Sequence, residues 1–358
     1  MTNHQHTITK ADLRHTQWSA SETPALAAGN VRLAVDAFAL TANNVTYAAF
    51  GGPPMNYWNF FPTSDAAQGR VPVWGFATVT DSTVDGIAVG KRVYGYFPIS
   101  ETLDVTPARL NDHSFMDGAA HRKDLSPIYN TYLFTDTDPA YSEAFEAQQM
   151  LFRPLYLTGW MICDSLMQGS PKPDRVIISS ASSKTALATA HGLHSRGLKT
   201  VGVTSPGNKA FVEASGLYSE TILYDDISTL QPGGATAYVD FVGRPALTMA
   251  IHTACGDTLV RSMVIGVTDW EADRTPPAGL PGPAPEFFFV PDYAAARAKS
   301  LPDGELDRRM GKDLIAFFPV STQFVTPESI KGRAAIEQAW LDTVDGQVKP
   351  SRGLICSF

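Results

Sequence analysis

The sequence predicts an α/β protein in which a small β-barrel comes before a doubly wound parallel sheet. Three observations carry this expectation. Residues 175–209 read as strand, turn, helix and strand, a βαβ unit of the kind that binds dinucleotides. Strands and helices go on alternating after it, the signature of a parallel sheet covered on both faces. Before it, residues 31–96 hold short strands joined by tight turns, the signature of a barrel.

In chain order, residues 1–30 read as an entry strand and a ragged loop. Val31–Leu40 places Val31, Leu33, Val35 and Ala37 on one face and reads as a strand. Residues 41–47 are a short helix or loop. Residues 51–72 are a loop dense in Gly, Pro and the aromatics Tyr57, Trp58, Phe60 and Phe61. Strands follow at Val73–Thr80 and Gly90–Tyr96. Residues 98–140 read as irregular, apart from a strand at Thr102–Thr106, and residues 140–168 turn helical. In the βαβ unit, Val176-Ile177-Ile178 is a buried strand. Ala186, Leu187, Ala190 and Leu193 lie at helical spacing, Gly197 stops the helix, and Thr200–Thr204 is the second strand. Further strands are expected at 221–224, 237–241, 259–267 and 286–290, with a helix at 245–254. The prolines of 276–291 read as a long ordered loop. The tail reads as a helix (305–317), a strand near Phe324-Val325, a helix (332–344) and a last strand (353–356). The expected division is 1–145 for the barrel domain, 146–300 for the nucleotide-binding domain, and 301–358 for a segment returning to the first.

Composition narrows the function. The chain has 358 residues, 44% hydrophobic and 18% charged, enough for two domains with a large core. A net charge of −8 argues against a broad nucleic-acid footprint. No apolar run reaches membrane-spanning length, and the polar residues 1–10 lack the core of a signal peptide. The three cysteines, Cys163, Cys255 and Cys356, are too scattered for a disulfide framework or a CxxC site. The expectation is a cytoplasmic protein acting on a small molecule, with neither nucleic acid nor membrane as partner.

The turn after the first βαβ strand, Ser179-Ser180-Ala181-Ser182-Ser183-Lys184-Thr185, stands where a glycine-rich phosphate turn is usual. Its small positions are Ser180, Ser183 and Ala186. The first two have exchanged glycine's freedom for hydroxyls, while a helix N-terminus still offers N–H groups and a positive dipole. Ser180, Ser182, Ser183, Lys184 and Thr185 are therefore candidate phosphate contacts. The alternative is an ordinary capped helix, since serine is a good N-cap. A Walker-type loop is disfavoured because both of its glycines are missing. The second strand ends in Thr204-Ser205-Pro206-Gly207-Asn208-Lys209, without the acid that bonds the ribose of NAD. Thr204, Ser205, Asn208 and Lys209 suit the 2′-phosphate of NADP instead. Tyr224, Val242, Gly243, Gly266 and Val267 end the following strands and are candidates to touch the cofactor.

The order of elements and several short motifs together resemble the medium-chain dehydrogenase/reductase superfamily, on its zinc-free quinone oxidoreductase and enoyl reductase side. Val31–Leu40 is similar to the family's first barrel strand, with Asn43 and Asn44 where the family often has an Asn near the substrate. Pro72–Val79 stands where the family has Pro-Gly-x-Glu-Gly-x-Gly-x-Val, and Val89-Gly90-Lys91-Arg92-Val93 resembles its Val-Gly-Asp-Arg-Val turn. Leu157-Thr158-Gly159-Trp160 resembles the helix before the cofactor, Val239–Gly243 the Asp-x-Val-Gly segment, and 336–353 the closing helix and strand. The resemblance implies a GroES-like barrel plus a Rossmann domain. It departs from the alcohol dehydrogenase branch: Asn43-Asn44 and Trp74-Gly75-Phe76 replace that branch's zinc ligands, and no cysteine precedes Cys163 for a structural zinc lobe.

The resemblance implies an NADPH-dependent oxidoreductase that uses no metal and reduces an activated C=C or C=O bond of an enone, quinone or enoyl ester. Such chemistry needs groups that stabilise charge developing on a carbonyl oxygen and a proton donor. Asn43, Asn44 and Tyr47 are candidates to stabilise that charge, Tyr57 and Trp58 to line an apolar pocket, and Tyr129 or Tyr132 to donate the proton. The family's habit of dimerising through an edge strand implies a homodimer, with 259–267 as the candidate edge. The loss of glycines in the turn leaves two other readings open: a lyase or hydrolase of a β-dicarbonyl compound on the same fold, and a ligand-binding protein.

Overall fold

In the computed structural model, residues 2–231, 233–265 and 279–358 are described. The chain divides into two units, Met1–Leu151 with Pro327–Phe358, and Phe152–Thr326. Residues 301–326, expected in the returning segment, fall in the second unit.

In the first unit, Val31–Leu40 lies inside a nine-stranded antiparallel sheet, between Pro72–Ser82 and Arg352–Ser357. Val31, Leu33 and Val35 are buried on one face, as their alternation requires. Arg92–Pro98 and Thr131–Phe134 continue the sheet beyond Pro72–Ser82. Two expectations fail in this unit. The entry strand expected in residues 1–30 is present, but no ragged loop follows it directly: Thr2–Thr9 and Asp12–Glu22 form a long hairpin, Thr2 opposite Glu22. Its buried residues include the polar Asn3, His6 and Thr7, so no hydrophobic alternation marks it in the sequence. The span 98–140 also contains the strands Ser114–Asp117 and Thr131–Phe134, each too short to show a period.

The second unit is built on six parallel strands. Their order is Glu220–Leu223, Lys199–Thr204, Arg175–Ile178, Thr236–Asp240, Leu259–Val264 and Glu286–Phe287. In sequence order this is 3-2-1-4-5-6, the arrangement of a Rossmann sheet, with its switch point beside the first strand. Ala186, Leu187, Ala190 and Leu193 are fully buried along the helix Lys184–His194, as their spacing requires. Leu259–Val264 is paired on both sides, so it is not the edge strand expected for a dimer contact; Glu286–Phe287 takes the edge. The expected strand at 286–290 stops after two residues, because Val290–Lys299 is a helix with a proline at its start. No described helix is long and apolar enough to cross a membrane.

Candidate functional site

Two places gather the candidate residues, one in each unit. In the first unit, the helix Ala42–Ala49 presents Asn43 and Tyr47, the short helix Tyr57–Phe60 presents Tyr57, and Tyr129 closes the turn before Thr131–Phe134. The ring centroids of Tyr47 and Tyr57 lie 4.7 Å apart, and those of Tyr57 and Tyr129 5.7 Å. The hydroxyls of Tyr57 and Tyr129 are 3.5 Å apart. Trp74 Nε1 donates to the Tyr47 hydroxyl at 3.2 Å.

Burial dominates the acid–base character of this cluster. It raises the pKa values of Tyr47, Tyr57 and Tyr129 above that of an ordinary phenol. The Tyr57–Tyr129 hydrogen bond works in opposite directions on its partners, lowering Tyr57 and raising Tyr129. Either hydroxyl can donate in this bond, and Tyr57 is the less strongly raised of the two phenols.

Asn44 does not join the cluster. Its Oδ1 accepts from the Thr41 N–H at 2.7 Å in a capping box, and its Nδ2 donates to the Pro72 carbonyl at 2.8 Å. Its amide is committed to starting the helix and fastening it to the sheet. Trp58 is likewise structural: a Cβ at Gly51 would lie 2.0 Å from its ring, and one at Gly69 2.5 Å, so only glycine fits on either side. Tyr132 donates to the Tyr96 carbonyl at 2.9 Å.

Sequence reasoning missed Trp74 and Tyr96 as members of the cluster. They are opposite each other on paired strands, and their rings lie 4.9 Å apart. Tyr96 also reaches Tyr129 at 4.9 Å, and among the described residues its fully buried hydroxyl has no hydrogen-bond partner. It also missed the buried pair Asp117–Arg122, 3.2 Å apart. Arg122 Nε donates to the carbonyl of Phe60, beside Tyr57, and Asn130, next to Tyr129, donates to the Arg122 carbonyl.

In the second unit, the serine turn keeps the shape glycine usually supplies. Ser180 has φ +50, left-handed, and its N–H donates to the Tyr224 hydroxyl at 3.2 Å. Ser183 caps the helix, accepting from the Ala186 N–H. Asn208 donates to Ser182 Oγ at 3.1 Å, joining the turn to the end of the second strand. Lys184 opens the helix, and burial pushes its amine down to about 8. Thr185 follows it, and Thr204 is buried at the strand's end with Ser205 after it. Lys209 lies 3.8 Å from Glu213 on an exposed helix turn.

The Val242 and Gly243 N–H groups, expected to border the cofactor, turn inward instead. Both donate to Asp240 Oδ1, at 2.9 and 3.1 Å. Ser179 Oγ also donates to that oxygen, at 2.7 Å. A buried carboxylate thus fastens the first strand to the fourth beneath the turn, a role the sequence reading did not give Asp240. Gly266 and Val267 lie outside the described residues. Among the described residues, no group of three or more His, Cys, Asp or Glu is placed to hold a metal ion.

The antiparallel unit and the 3-2-1-4-5-6 sheet together define a GroES-like plus Rossmann architecture. Solved structures share it over the whole chain. CurA from Vibrio vulnificus, in complex with NADPH, matches with TM-score 0.67 and 11% identity, over 99% of this chain and 98% of that one. A mutant enoyl thioester reductase from Candida tropicalis matches with TM-score 0.64 and 11% identity, over 100% of both chains. An Etr1p/NADP/crotonyl-CoA complex matches with TM-score 0.63 and 11% identity, also over 100% of both. The family described as "Protein of unknown function (DUF2855)" matches residues 38–349, and the chain belongs to it. No curated protein matches.

Proposed function

We propose that the chain is an NADPH-dependent reductase of an activated C=C or C=O bond in an enone, quinone or enoyl ester, working without a metal. The observation that carries the reading is the Tyr57–Tyr129 hydroxyl pair, two phenols held protonated by burial and linked so that one can donate to the other. The similar folds point the same way, since one was solved with NADPH and another with NADP and crotonyl-CoA.

The residues present fit the cofactor. The left-handed Ser180 and the helix starting at Lys184 form a phosphate turn, and Ser182, Ser183, Lys184 and Thr185 supply hydroxyl and ammonium donors to the pyrophosphate. Ser205, Asn208 and Lys209, with no acid among them, suit the 2′-phosphate. NADPH supplies the hydride when bound. Tyr57 Oη gives its proton to the substrate atom that gains negative charge, and the Tyr129 hydroxyl donates to the resulting phenolate oxygen. Asn43 and Tyr47 add hydrogen-bond donors for a carbonyl oxygen. The aromatic walls from Trp74 and Tyr96 favour a flat, conjugated substrate. We place the protein as a homodimer paired through Glu286–Phe287, where Phe287 is 59% exposed on the sheet edge.

The test is a titration with NADPH and NADH followed by nicotinamide fluorescence, then turnover with enones and quinones. Micromolar NADPH binding, weaker in Lys209→Ala, supports the reading. No binding of either cofactor at millimolar concentration removes hydride chemistry.

A further inference from the structure

Arg70 is a feature of the first unit to which the proposed chemistry gives no purpose. It follows the two-residue strand Gln68–Gly69, which pairs with the end of Thr2–Thr9. Its guanidinium is partly buried, and among the described residues it makes no ion pair or hydrogen bond. Its Nε is fully enclosed and has no acceptor. Buried charges are ordinarily paired, because removing an ion from water without a counter-charge is costly.

The side chain lines a cavity of about 220 Å³ between the first hairpin and residues 98–104. Asn3, Ser21, Thr23, Ser100 and Thr102 also line it, a wall of hydroxyl and amide groups. Two carboxylates border the cavity, and neither pairs with Arg70. Asp104 accepts from Arg32 Nε and Nη2, both at 2.7 Å, so its charge is already met. Glu22 is exposed at the hairpin's end. Arg70 is therefore the partly buried cation of the cavity without an ion pair among the described residues, while Glu22 keeps its charge in solvent at the rim.

We propose that this cavity is an oxyanion site in which Arg70 holds a small carboxylate or phosphate. The guanidinium is a planar fork of donors matched to two oxygens of one anion. The volume equals about seven waters at ~30 Å³ each. That suits a small anion with some of its water, and it is below the range of about 300–1,000 Å³ usual for larger organic ligands. Burial alone pushes the Arg70 guanidinium down from its ordinary value, with no carboxylate opposing the shift. This agrees with a cation awaiting its partner. The inference does not depend on the proposed reductase activity.

The experiment is thermal unfolding of the full chain in sodium phosphate, sodium acetate and sodium chloride at matched ionic strength. Expected is a saturable rise in Tm with phosphate or acetate and none with chloride. The more effective of the two anions identifies the ligand class. Arg70→Met should abolish the rise and, without oxyanion, should unfold no earlier than the wild type, since it removes an unpaired cation. Arg70→Lys, which keeps the charge and loses the fork, should raise the half-saturating concentration about tenfold. An equal rise in wild type and Arg70→Met overturns the proposal. So does the absence of any oxyanion-specific rise in the wild type, or an Arg70→Met protein that unfolds early in every salt, which would make the residue's role purely structural.

Discussion

Tyr57 and Tyr129, 72 positions apart in the chain, bring their hydroxyls to 3.5 Å. The bond lowers Tyr57 and raises Tyr129, which leaves Tyr57 the less strongly raised phenol of the pair. Tyr57→Phe should therefore lower kcat by about 10²-fold, the usual contribution of a positioned general acid, and leave the NADPH dissociation constant unchanged. Tyr129→Phe should cost less, because it removes only support for the phenolate. Single-turnover kinetics with both variants decide the order, and a larger loss in Tyr129→Phe would reverse the assignment.

The same pair fixes the pH dependence. The active form of Tyr57 is the protonated one, and burial raises its value above the ordinary phenol. Activity should stay flat from neutral pH upward and fall only above the usual tyrosine value of about 10. A kcat/KM profile that drops between pH 7 and 9 would assign the proton to another group.

Ser180 adopts φ +50 at the position where such turns usually have glycine. A left-handed conformation costs a non-glycine residue about 1 kcal/mol. Ser180→Gly should thus leave stability unchanged or raise it by about that amount in urea unfolding, and keep NADPH binding. Ser180→Val should lower both, since a β-branched residue tolerates this region poorly. Equal stability of Ser180→Gly and Ser180→Val would show that the turn does not depend on this geometry.

The contrast between what the sequence shows and what it hides has a physical basis. Val31–Leu40 and the helix Lys184–His194 were legible because they bury apolar residues at fixed periods. The hairpin of residues 2–22 was not, because its buried residues include the polar Asn3, His6 and Thr7. Tyr47, Tyr57 and Tyr129 could be named as candidates from their chemistry, but Trp74 and Tyr96 join them through strand register, which no local pattern encodes. Asn43 and Asn44 are adjacent and alike in sequence. Only the capping box at Thr41 separates the structural one from the available one.

Arg122 links the carriers of the two phenols, bonding the Phe60 carbonyl on one side and accepting from Asn130 on the other. It is 1% exposed and 3.2 Å from Asp117, which is equally buried. Arg122→Met leaves Asp117 buried without its partner and should cost about 3–5 kcal/mol in unfolding free energy. Asp117→Asn/Arg122→Met should recover part of that. Neither variant restores the bond to Phe60, so kcat should stay low in the double variant while stability improves. Full recovery of kcat would show that Arg122 does not position Tyr57.

His6 sets the response to acid. It is fully buried against Trp18, ring centroids 5.0 Å apart, and among the described residues neither ring nitrogen has a hydrogen-bond partner. Burial lowers its value from 6.5 to about 4, outweighing the opposing charge of Glu337. The folded state thus binds this proton less readily than the unfolded chain. The stabilisation is complete above pH 6.5 and is lost as pH falls toward 4, over which the folded state loses about 3 kcal/mol. Urea unfolding of the wild type should show this slope between pH 6.5 and 4. His6→Leu, close in size and unable to take a proton, should flatten the slope and bring the two proteins closer together at pH 5 than at pH 7. An unchanged slope in His6→Leu would place the acid sensitivity elsewhere.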